Sequence, residues 1–128
     1  MAADTHRLEV DSLGECPVPA AALYGSNTAR ARANFPLAGR PVHAALIHAY
    51  GTVKLACLRT TAATGHFATG PRPLGAEALA ALEAACAELA DGVLDEHIVV
   101  DALQGGAGTS LNMNVNEVIA NRASELLG

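Results

Sequence analysis

"QGGAGTSLNMNVNEVIANRASELLG", residues 104–128, decides how the chain is read. Glycines at 105, 106 and 108 stand before two hydroxyls, Thr109 and Ser110, and an apolar pattern of helical period follows. Leu111, Val115, Val118 or Ile119, and Leu126 fall on one stripe, so a helix is expected from about Ser110, with Gly128 in the place of a C-terminal glycine. Glycine lets other groups approach the backbone closely, and open N–H groups at a helix start favour an anion, with Thr109 and Ser110 as added donors. A carboxylate fits that seat. The plain alternative is that Thr109 or Ser110 caps the helix, worth about 1 kcal/mol, while Asn112, Asn114 and Asn116 face solvent. Asn112 and Asn116 share a face, however, and Asn114 lies on the other side, so no single solvated face holds all three. Since asparagine is a poor helix former, some of these side chains are expected to make specific buried hydrogen bonds. No lysine follows the last glycine and no GxGxxG spacing opens here, which argues against a nucleotide loop.

Upstream, "RLEVDSLGECPVP" (residues 7–19) alternates apolar and polar positions on both sides of "DSLG", the pattern of a small hairpin or extended arm. Glycines and prolines interrupt the next stretch and leave room for one short helix over 28–34. Pro41 then stands as a first-turn proline for a helix to about residue 63, with Ala45, Leu46, Ala49, Val53, Ala56 and Cys57 recurring at three and four. "TGHFATGPRPLG" reads as loop. A further helix over 76–90 puts Leu79, Leu82, Ala85, Cys86 and Leu89 on one face and ends at Asp91-Gly92. "HIVVD" (97–101) is a short strand or buried extended chain.

At 128 residues, the expected organisation is one mainly α domain, 1–128, with a real core. Apolar residues make up 51% but aromatics only 3%, so the core depends on close helix approach rather than on large rings. A net charge of -5 argues against a nucleic-acid surface, although a small anion could use one of Arg30, Arg32 or Arg40. No apolar run approaches the roughly 20 residues a bilayer requires, and "MAADTHRLEV" has no signal-peptide pattern. The expectation is a cytoplasmic protein without a membrane partner. Cys16, Cys57 and Cys86 are odd in number and widely spaced, and are expected to be buried thiols. His43 and His48, five apart, point to different helix faces, so no metal site is expected.

Both ends of the chain carry a resemblance. "QGGAGTSLNMNVNEVIANRASELLG" resembles a signature block of the aspartase and class II fumarase superfamily, and "RLEVDSLGECPVPAAALYGSNTARARANFPLAG" resembles that family's N-terminus, in the same order and spacing. The middle matches mainly as helix pattern. The resemblance implies the N-terminal domain of the aspartase/fumarase fold, without its central helical bundle and C-terminal domain. It implies a lyase that abstracts a proton beside one carboxylate of a four-carbon dicarboxylate and expels ammonia or water to give fumarate, with no cofactor. It assigns substrate-carboxylate binding first to Thr109, then to Gly108 and Ser110. Class II fumarases usually read "GSGTQ" here and aspartases "GAGTS", so Ala107 and Ser110 favour ammonia as the leaving group. Ala33 departs from the glutamate that relatives often carry.

The family's later blocks, "HPNDHVN", "SSTNDV" and the mobile "GSSxMPxKxN" loop with its serine base, have no counterpart here, and no catalytic residue is assigned in this chain. Elimination needs a base at the carbon acid and donors for the enolate-like intermediate, so one carboxylate seat is insufficient. The chain alone is therefore expected to be inactive, as a subunit of a split lyase, a piece of a longer one, or a non-catalytic dicarboxylate-binding or assembly module. A second polypeptide or a homo-oligomer is the expected partner.

Overall fold

The computed structural model describes residues 5–128. Two short strands open the chain, β1 (His6–Asp11) and β2 (Gly14–Pro19), paired antiparallel from His6 opposite Pro19 to Asp11 opposite Gly14. The Asp11 carboxylate accepts from the Leu13 amide inside the turn, which is what an aspartate at that position offers. Five helices follow: α1 (Ser26–Asn34), α2 (Ala44–Ala63), α3 (His66–Thr69), α4 (Ala76–Ala90) and α5 (Thr109–Leu127). The expected mainly helical fold with a small hairpin is what forms.

Helix α4 packs against both α2 and α5, and one apolar cluster fills the space between them. Leu89, Val100, Val115 and Val118 are almost completely buried there, with Val18 reaching in from β2. Approach is close because the facing residues are small. A Cβ on Gly51 of α2 would lie 2.8 Å from Ala90 Cα of α4, so only glycine fits at that crossing. Arg122 of α5 then clamps Glu88 of α4 at 2.6 and 3.0 Å, and that guanidinium holds the Glu88 carboxyl below the usual carboxylate range.

Helix α1 has no side-chain cap of its own. Two distant carboxylates serve instead. Glu117 of α5 accepts from the amides of Gly25, Asn27 and Thr28 and from the Thr28 hydroxyl, at 2.6–3.1 Å, while Glu9 of β1 accepts from the Ser26 amide at 2.7 Å. Negative charge at a helix N-terminus is favourable, and here it ties the hairpin, α1 and α5 together. Arg30 completes the tie by forking onto Asp11 at 2.9 and 3.0 Å.

Several expectations are corrected. Pro41 forms an isolated bridge to Asp101 rather than opening α2, which starts later because His43 Nδ1 caps it by accepting from the Ala45 amide. The face of α2 turned inward carries Ile47 and Gly51; Leu46, Val53 and Cys57 point outward. Cys57 is therefore exposed, whereas Cys16 and Cys86 are buried. Period alone could not distinguish these faces, because α2 is apolar on both. Residues 66–69 form a turn of helix inside the expected loop. Of the two forms open to "HIVVD", buried extended chain is the one found, running on from His97 at the end of a 3-10 turn at Asp95–His97. Leu126 is 42% exposed and lies off the core stripe, which runs instead to Ala123.

Candidate functional site

The segment leading into α5 is pinned by polar side chains. Asn114, fully buried, accepts from the Val99 amide at 2.8 Å and donates to the His97 carbonyl at 2.9 Å. Of the three asparagines among which some buried hydrogen bonds were expected, Asn114 is the fully buried one. Asp101 accepts from the Ala38 and Gly39 amides at 2.8–3.0 Å and from Leu103 N–H at 2.7 Å. These donors, Leu103 foremost, lower the Asp101 carboxyl from its usual value. Gln104 is also buried, and its side-chain oxygen accepts from the Leu111 amide in the first turn of α5.

Between those anchors lies the glycine loop. Gly105, Gly106 and Gly108 adopt φ of 80°, 58° and 82°, a left-handed region that a side chain would strain. A Cβ on Gly105 would fall 3.0 Å from the Phe35 ring, so that ring lies against the loop backbone. Gly108 is the N-cap of α5 and has no side chain to cap it, so among the described residues the first-turn amide that a side chain takes up is that of Leu111, by Gln104. Thr109 and Ser110 therefore do not close the first turn. Their amides and hydroxyls have no hydrogen-bond partner among the described residues. Thr109 is exposed, while Ser110 and Gly108 are half-buried, and all three stand together at the mouth of α5.

Two neighbours from α2 complete the surroundings. Lys54 Nζ donates to Asn112 Oδ1 at 2.7 Å, which sets an ammonium beside the first turn, and the Tyr50 hydroxyl lies near Gly108. Sequence reasoning assigned no role to either or to Gln104. Lys54 had a legible signal, since it is the chain's one lysine and interrupts an apolar helix. The arrangement offers backbone amides, hydroxyls and a nearby cation to one anionic group, the requirements of a carboxylate seat.

A family model described as lyase matches residues 14–128. The chain belongs to this lyase family. Its relatives include an aspartate ammonia-lyase of a Bacillus species, 44% identical over 122 residues, which cover 95% of this chain and 25% of that protein. A class II fumarate hydratase of Xylella fastidiosa is 43% identical over 120 residues, 94% of this chain and 24% of the relative. Solved lyase-family structures agree with the fold. A fumarate lyase:delta crystallin from Brucella melitensis superposes with a TM-score of 0.85 at 46% identity, over 96% of this chain and 27% of that one. A class II fumarase from Schistosoma mansoni gives 0.84 at 32% identity, over 95% and 24%. The chain spans about a quarter of the length of the lyases it matches. Identity is nearly equal to ammonia-lyases and hydratases, so it does not select the leaving group.

Proposed function

We propose that residues 1–128 act as one domain, the carboxylate-binding wall of a lyase that eliminates ammonia from a four-carbon dicarboxylate of the aspartate type, giving fumarate. The observation that carries this reading is the start of α5, where Gln104 takes the Leu111 amide while the Thr109 and Ser110 amides and hydroxyls stay open behind the glycine loop. Thr109 binds the substrate carboxylate, assisted by Ser110 and the Gly108 backbone. Donors there hold the charge that gathers on the carboxylate as the adjacent carbon loses its proton. Proton abstraction falls to a base on further polypeptide, either a second chain or the rest of a longer one, in a cytoplasmic assembly. Ala107 and Ser110 favour ammonia over water, and the class II fumarases among the relatives keep the hydratase as the second reading.

The test is to incubate the purified chain with aspartate and with malate, alone and with the polypeptide that co-purifies from its source, and to follow fumarate by its ultraviolet absorbance. The chain alone gives no fumarate, and the assembly releases it from aspartate. Turnover of malate alone moves the reading to the hydratase. Turnover by the isolated chain, or a pure assembly inert toward both, rejects it.

A further inference from the structure

A groove of about 700 Å³ lies apart from the α5 mouth, between the end of α1 with the segment after it and the connector that follows α4. That volume is within the usual range for small-molecule sites. Phe35, Pro36, Pro41 and Ile98 give it apolar walls, and Arg32 and Arg40 bring two guanidinium groups.

Two of the three carboxylates around it are engaged elsewhere. Asp95 pairs with His48 Nε2 at 2.9 Å and both Asp101 oxygens take backbone amides, while Glu96 extends into solvent. The Arg40 guanidinium, by contrast, has no side-chain partner among the described residues, and Arg32 spends one Nη on the Tyr24 hydroxyl at 3.1 Å. Open guanidinium donors over flat apolar walls suit an anion with a flat body.

We propose that this groove is a second binding site, for a small organic carboxylate with a flat apolar body, and that its occupancy is transmitted to the glycine loop of α5. The carboxylate pairs with Arg40 and the free donors of Arg32, while the body lies against Phe35 and the prolines. Transmission has a physical route: the Phe35 ring that walls the groove also touches Gly105, and Asp101 ties the 38–39 backbone to the start of the same loop.

The experiment is a titration of the ¹⁵N-labelled chain with benzoate, with benzamide and inorganic phosphate as separate arms. Benzoate binds saturably and moves the amides of residues 35–41 and of Gly105 and Gly106, and Arg40→Gln weakens it about tenfold or more, as expected for loss of a charge-assisted hydrogen bond. Arg40 is exposed, so that substitution leaves the fold intact. Phosphate and benzamide, each with half of the chemistry, bind more weakly. Equal binding of benzamide, unchanged affinity in Arg40→Gln, or no saturation overturns the site. Shifts confined to residues 35–41 overturn its link to the loop.

Discussion

Thr109 stands exposed with its hydroxyl uncommitted, while Asp101, a few residues upstream, has every oxygen engaged. The first is available for a ligand and the second holds the fold, and substitutions separate the two roles. Thr109→Ala in the active assembly raises the substrate KM about tenfold, the worth of one hydrogen bond to a charged group, and leaves thermal stability unchanged; steady-state kinetics and a melt measure both. Asp101→Asn acts on stability through pH. Its amide donors depress the carboxyl in the folded state, so its contribution is complete above the ordinary carboxylate value and is lost as pH falls through the lowered one. Urea midpoints of the two proteins therefore differ most near about pH 7 and converge toward about pH 3.

At the scale of elements, the crossing of α2 and α4 rests on Gly51. Gly51→Ala adds a methyl where the Ala90 backbone already stands, and overpacking of about 1–3 kcal/mol outweighs the roughly 1 kcal/mol gained in helix propensity. A lower urea midpoint with the same circular dichroism is the expected result. This crossing also marks where sequence pattern stops being informative. The hairpin was legible because alternation and "DSLG" are local signals, and α4 because its apolar residues recur at helical spacing up to Asp91-Gly92. Helix α2 was not, since both sides are apolar and the side turned inward is set by a glycine that pattern scoring treats as neutral. The start of α5 was legible from its glycines and hydroxyls. The part Gln104 plays there was not, nor was that of Glu117 at the start of α1, because each acts through a partner that only the folded chain brings near.

For the whole molecule, the outer side of α2 is an exposed apolar surface. Leu46 and Val53 are 49% and 56% exposed beside Ala45, Ala49, Ala56 and Cys57, and the hydroxyls of Thr52 and Thr60 donate back to the carbonyls of His48 and Ala56. Arg59 turns sideways to Glu83. A helix face with neither free donors nor free charge is suited to burial, and the expected outcome is that the chain alone self-associates and binds an apolar dye. Val53→Glu reduces both, and sedimentation with dye fluorescence measures the change.

The carboxylate of Glu117 has a consequence in time as well as in space. Helix α1, nine residues long with no side-chain cap of its own, is too short to persist alone in water. Its amides wait for a residue about ninety positions later. As the chain emerges from the ribosome, the hairpin and α4 can form from neighbours in sequence, whereas α1 stays unsettled until most of α5 has been made. Release of a shortened product lacking α5 would thus leave α1 unwound and open to proteolysis, a quality check written into the order of synthesis.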